Sequence, residues 1–339
     1  AREMAERTEA DQELLRLTAA ELYGDSFEVV TRHAERTFYN TLAVAKWHMS
    51  RRVRACGYKV VVTGEGSDEL FGGYPFFKRD YLLHAAPNGE SGPRPAAGVF
   101  QGAILAESMQ QHTAWEDLCG FTPSWIQPWM LTLEWIRPLL ADDVREELHD
   151  YDPLVAIASA IDSSKVKGRH VLDIAQYTWS KTMLEGQILT WGGDRVDMAN
   201  SMESRPAFLD HNLAEFAVRI PPSLRIRNGV EKWVLREAMK SVLPQTLYER
   251  EKFAFMAPPN HTNHAKRRSA TTLASRWLSD DRIEGAGLFD AERVRRFLGS
   301  MGSHEDPVAA RRGDIILNHL VQTHILDAMT TTSSVAQPA

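Results

Sequence analysis

Cysteine is scarce in this chain of 339 residues: only Cys56 and Cys119 occur. Two cysteines build no disulfide framework and no thiolate set for zinc, and they suit a reducing, cytosolic compartment. Long hydrophobic runs are missing too, with no stretch near the roughly 20 apolar residues that span a bilayer. The charged opening Ala1-Arg2-Glu3-Met4-Ala5-Glu6 has no apolar region of the signal-peptide kind. Basic charge is not in excess. A formal net charge of −6 argues against nucleic acid or an anionic membrane as the main partner, and Lys266-Arg267-Arg268 reads as a solvated helix face. The 12 histidines form no metal cluster; His261 and His264 are close, but no third ligand is spaced to join them.

What is present is ordinary globular composition, 43% apolar and 25% charged, enough for one large domain or two modest ones. Residues 1–10 and 37–56 carry helical patterns, and Gly57 stands where a helix C-terminus favours a left-handed residue. The β-branched run Tyr58-Lys59-Val60-Val61-Val62-Thr63 follows and predicts a short, buried parallel strand. Residues 87–95 are rich in turn formers. From about 99 to 186 the pattern is helical and tryptophan-rich, with no strand signal, and the tryptophans read as core. Two more helical stripes end at Pro221 and Pro244, the first with Asp210 placed to cap it.

The loop Thr63-Gly64-Glu65-Gly66-Ser67-Asp68-Glu69-Leu70-Phe71-Gly72-Gly73-Tyr74 lies at the strand's C-terminal end, where open α/β sheets bind ligands. Its glycines let backbone N–H groups approach an anion, and Thr63 and Ser67 add hydroxyls. Glu65, Asp68 and Glu69 in the same stretch need a cation between themselves and any phosphate, which points to Mg²⁺ with a nucleotide. The plain alternative is a glycine-rich turn with solvated acids.

This run resembles the S-G-E-G-S-D-E-x-F-G-G-Y motif of glutamine-hydrolysing asparagine synthetases, with Thr63 in place of serine. A second stretch, Gly193 to Asp210, is similar to that family's G-D-R-x-x-M-A-x-S-x-E-x-R-x-P-F-L-D segment. Lys232 falls in a family-like x-K-x-x-L-R-E-A helix, and Lys252 in an R-x-K-x-x-F segment. The resemblance covers nearly the whole chain, most weakly over residues 87–172. It implies part of a parallel-sheet α/β domain of the adenine-nucleotide α-hydrolase-like (PP-loop ATPase) type, followed by a mainly helical region. Residues 1–85 would be the C-terminal part of the nucleotide-binding core, 86–185 a helical insertion, 186–329 the helical remainder and 330–339 a disordered tail.

The resemblance further implies ATP-dependent amidation of a carboxylate, aspartate to asparagine first of all, through an acyl-AMP attacked by glutamine-derived ammonia. Thr63, Gly64, Gly66 and Ser67 would contact the nucleotide and Asp68 would bind Mg²⁺. Glu65 would assist the acyl-adenylate chemistry and Lys252 would neutralise developing negative charge. Asp194, Arg195, Glu203, Arg205 and Lys232 would face substrate or pyrophosphate; the alternative is ion pairs tying helices together and, for Lys232, a surface position. The family's S-G-G-x-D-S pyrophosphate loop occurs nowhere in the chain, and residue 1 is alanine, not the glutaminase cysteine. The resemblance therefore implies an upstream glutaminase and pyrophosphate-loop segment, in the same protein or a partner chain, without which no adenylate is expected. A second copy of the chain is a further candidate partner. Two other readings stay open: a non-catalytic scaffold that keeps the fold, and amidation of a different acid in secondary metabolism.

Overall fold

The computed structural model describes residues 1–85, 98–100, 103–105, 109–252, 260–301 and 307–334. It is mainly helical. Strand β1 (Val60–Thr63) leaves the Leu42–Ala55 helix through Gly57, whose φ of +93° is the left-handed turn expected there. The remaining described strands are β2 (Gly98–Phe100), β3 (Ala103–Leu105), β4 (Glu203–Pro206), β5 (Ile226–Arg227) and β6 (Val230–Glu231). β1 and β4 pair in parallel with Val60 opposite Glu203 and Thr63 opposite Pro206; β2–β3 and β5–β6 are antiparallel hairpins. The β2–β3 hairpin falls where only helix was expected, because three-residue strands are too short to show an alternating pattern.

The parallel pairing holds, but the burial expected of β1 does not. Among the described residues the sheet has two strands, and one face of it is open: Val62 is 72% exposed and Tyr58 65%. Parallel sheets normally have both faces covered, so β-branched composition alone overstated the burial here. The tail also differs from expectation. The Pro307–Ser334 helix runs five residues into the segment read as disordered, and 335–339 lie outside the described residues.

Apolar side chains gather into two main cores. One packs Phe27, Val30 and Ala34 of the Asp25–Ala34 helix against Phe38, Val44, Val196 and the C-terminal Ile316, Leu320 and Ile325. The C-terminal helix also fixes the chain before the Leu42–Ala55 helix: the Phe38 amide donates to Gln322 Oε1 at 2.6 Å, and Asn318 Nδ2 donates to the Tyr39 carbonyl at 3.1 Å. The other core joins Phe77 and Tyr81 to Trp115, Trp125, Leu172 and Trp179. The segment after Trp179 winds as π turns over Ser180–Ile188 and then over Thr190–Asp194, the second stretch kinked at Gly193 (φ −133°, ψ −114°). Such turns recur at functional sites. Asp210 caps the His211–Ala217 helix as expected, accepting from the Asn212 and Leu213 amides at 3.1 Å each.

Asp80 is a charge-bearing group inside the second core. Fully buried, it accepts from the Ser124 amide at 3.0 and 3.1 Å, and burial pushes its carboxyl up to about 7. The folded state therefore holds a proton that the unfolded chain releases near pH 4, so this stabilisation is full below that pH and fades as pH rises towards 7. Relative to Asp80→Asn, wild-type stability should fall by roughly 1.4 kcal/mol per pH unit across that window. Urea midpoints of both proteins at pH 5 and pH 8 measure it, and a gap that does not change with pH excludes the coupling.

Candidate active site

β1 delivers the chain to a tight turn and then to the short Ser67–Phe71 helix. Gly66 has φ +96°, and a Cβ there would stand 2.4 Å from Leu209 Cδ2, so neither conformation nor space admits another residue. Gly73 is forced by proximity alone: its Cβ would lie 2.0 Å from Asp68 Oδ1. Glu69 reaches back to the Gly66 amide at 3.1 Å, making the one half of a capping box that a glycine N-cap allows. Two of the glycine amides expected to face an anion are thus already engaged, Gly66 by Glu69 and Gly73 by the Asp68 carbonyl at 2.8 Å.

The three loop carboxylates have different surroundings. Asp68 is gripped by two lysines, Lys232 Nζ at 2.8 Å and Lys252 Nζ at 2.9 Å. Burial opposes its charge, but the two ammonium groups outweigh it and hold its carboxyl below the usual aspartate range. Glu65 is also held low: burial again opposes, while the Thr63 hydroxyl and the Lys46 ammonium at 3.3 Å prevail. Glu69 goes the other way. It is 2% exposed, and burial together with the neighbouring Asp68 charge raises its carboxyl above the usual range. Its oxygens accept from the Tyr74 hydroxyl at 2.8 Å and Trp179 Nε1 at 3.4 Å, which makes it an anchor of the loop.

Both lysines are placed by backbone features. Lys232 sits at φ +52°, a left-handed conformation that costs a non-glycine residue of order 1 kcal/mol or more and persists only where its surroundings fix it. Lys252 is held by its own amide, which donates to Glu231 Oε1 at 3.0 Å, and its ammonium lies 5.9 Å from the Tyr74 ring centre. Glu231, buried, also pairs with Arg236 at 2.7 Å.

Thr63, Gly64, Glu65, Ser67, Asp68, Lys232 and Lys252 open together on one cavity of about 550 Å³. Gly66 is packed behind it against Leu209. The other sequence candidates do not line the cavity. Arg195 pairs with Glu35 at 2.6 Å and donates to the Ala34 carbonyl at 2.8 Å, tying two helices. Glu203 and Arg205 pair with each other at 2.7 Å on the open face of β4. Asp194 closes the second π stretch.

Sequence reasoning missed Lys46. It lies on the inner side of the Leu42–Ala55 helix, 7% exposed, and bridges Glu65 and the fully buried Asp197 at 3.3 Å each. Asp197 keeps a raised carboxyl, because burial outweighs the Ser204 hydroxyl and Lys46. The only signal for Lys46 was a lysine inside an apolar helical face. The tryptophans, read as core, are core and wall at once. Trp125, Trp129, Trp179 and Trp191 line the cavity, as do Met183, Gln187 and Ile188 of the π turns.

Among the described residues no three His, Cys, Asp or Glu side chains group to hold a metal ion by themselves. Mg²⁺ on a triphosphate takes one or two protein carboxylates and completes its shell with phosphate and water. Asp68 and Glu65, opening on the same cavity, fit that smaller demand, provided the lysines that now pair with them turn to the phosphates.

The asparagine synthase family model matches residues 1–318. The chain is 26% identical over 322 residues to an amidase, chyE, of Penicillium rubens, covering 89% of this chain and 47% of that protein. A Gibberella zeae amidase, chry2, is 27% identical over 316 residues (85% and 46%). Glutamine-hydrolysing asparagine synthetase 1 of Bacillus subtilis is 26% identical over 255 residues (74% and 38%). The chain thus spans about half the length, or less, of these curated relatives.

Proposed function

Because this chain belongs to the asparagine synthase family, we propose that it supplies part of the site of a carbon–nitrogen ligase that amidates a carboxylic acid at the expense of ATP. The observation that carries this reading is the meeting of Glu65, Asp68 and Lys252 on one cavity. An acid oxygen attacks the α-phosphorus, pyrophosphate departs, and the acyl carbon becomes joined to a good leaving group. Ammonia then adds to that carbon, and AMP leaves with the oxygen that attacked.

Glu65, ionised because its carboxyl is held low, stands ready to take the proton that the nitrogen sheds once bonded to carbon. Lys252 brings a fixed positive charge towards the oxygen that becomes negative in that step, and Lys232 a second one towards phosphate. Thr63, Gly64 and Ser67 border the nucleotide. Mg²⁺, when bound through Asp68, would offset charge on the phosphates. The upstream glutaminase and pyrophosphate-loop segment is part of the proposal, with a second copy of the chain as a further partner.

Labelled oxygen tests it. With ¹⁸O in the acid, ATP and ammonia, the protein carrying its upstream segment should place one label in AMP for each amide formed. Label found in inorganic phosphate would mean an acyl phosphate and would sink the acyl-AMP reading.

A further inference from the structure

We propose that the acid used at this site carries an aromatic or broad apolar body, seated among the tryptophans with its carboxylate towards Lys252; this rests on the ligase reading above. The cavity is about 550 Å³, and its loop end borders the nucleotide, so the place left to the acid's body is the far wall. Its wall away from the loop is built of rings in contact. Trp125 meets Trp179 edge to face at 5.8 Å, and Trp179 lies 4.7 Å from Tyr74. Tyr39 stands edge-on to Trp129 at 5.4 Å and to Trp191 at 5.6 Å.

Four polar handles of this wall are turned into the protein, while Gln187 and Arg311 also line the cavity. Trp125 Nε1 donates to Thr178 Oγ1 at 3.2 Å, and Trp179 Nε1 and the Tyr74 hydroxyl both donate to Glu69. The Thr132 hydroxyl donates to the Pro128 carbonyl at 2.7 Å. What these side chains offer an occupant is therefore ring surface, which favours stacked or edge-on aromatic contact. The loop end is charged, but its charges are matched: Lys232 and Lys252 with Asp68, Lys46 with Glu65 and Asp197. A single carboxylate is received there once Lys252, now 2.9 Å from Asp68, turns to it. The extra ammonium of aspartate would have to break those pairs or enter the aromatic box unpaired, and both are unfavourable.

The test titrates the full chain with 3-phenylpropionate and with aspartate, following tryptophan fluorescence and one-dimensional NMR. 3-Phenylpropionate should bind at least about tenfold more tightly than aspartate, and Trp129→Ala should remove most of that preference. Adenosine should not displace it. Equal or tighter binding of aspartate overturns the proposal, and so does displacement by adenosine, which would make the box a base-binding site. The comparison of the two acids on the wild-type chain stands even if the variant fails to fold. AMP formation by the protein with its upstream segment separates the two readings. Stimulation by aspartate over 3-phenylpropionate ends the aromatic-acid inference and keeps the ligase. Aromatic preference in binding with no acid-dependent AMP keeps the pocket and ends the ligase.

Discussion

Glu65→Gln should lower ATP-dependent amide formation by about 10²–10⁴-fold, the usual worth of a positioned acid–base group, while leaving the unfolding midpoint nearly unchanged. Glutamine keeps the shape and can still accept from Lys46, 3.3 Å from the Glu65 oxygen, so the local packing is preserved. It removes the negative charge, and with it the acceptor for the nitrogen's proton. The pH profile adds a second check. Since Glu65 is held below the usual glutamate range, activity that depends on its ionised form persists as pH falls through that range and is lost only beneath it. A variant within threefold of wild type would remove Glu65 from the chemistry.

Lys46→Met is expected to cost about 3–5 kcal/mol of stability, the range for removing one partner of a buried ion pair. Methionine fills the same length of helix, so lost packing is not the cause. What remains is Asp197, fully buried with only the Ser204 hydroxyl, and a half-buried Glu65 without its cation. Asp197 answers by taking a proton, which its raised carboxyl already favours, and that reply limits the cost. Combining Lys46→Met with Asp197→Asn should recover most of the stability without recovering amide formation, because Glu65 would still lack its partner. Urea midpoints measure the first effect and product assays the second. A single-variant cost below about 1 kcal/mol would show that Lys46 is not the bridge it resembles.

These two residues mark what could be read from sequence. Glu65 was legible because the loop is contiguous: twelve residues between Thr63 and Tyr74 carry glycines, hydroxyls and acids in one place, and the fold keeps them there. Lys46 sits 19 positions earlier on a helix whose pattern showed an apolar face. Nothing local distinguishes a buried lysine from a surface one that interrupts the stripe. Glu69 shows the converse. Its spacing put it with Glu65 and Asp68, but the first turn of a five-residue helix rotates it inward to Tyr74 and Trp179. Val60 and Val62 misled through composition, since β-branched residues favour strand without saying what covers it. Arg195, Glu203 and Arg205 lie in a motif as distinct as the loop, yet their side chains settle in local pairs away from the cavity.

The π turns between Trp179 and Arg195 bear on how such a pocket can change over time. A π turn holds one residue more than the α-helix around it, and the surplus changes neither composition nor polarity. Loss of one residue within either stretch lets that stretch return to the α ladder, which keeps the flanking segments facing as they do and re-aims the side chains inside it. Met183, Gln187, Ile188 and Trp191 would trade places with side chains that now face elsewhere. The wall could thus be redrawn by deletion, with no residue of the Glu65 loop replaced.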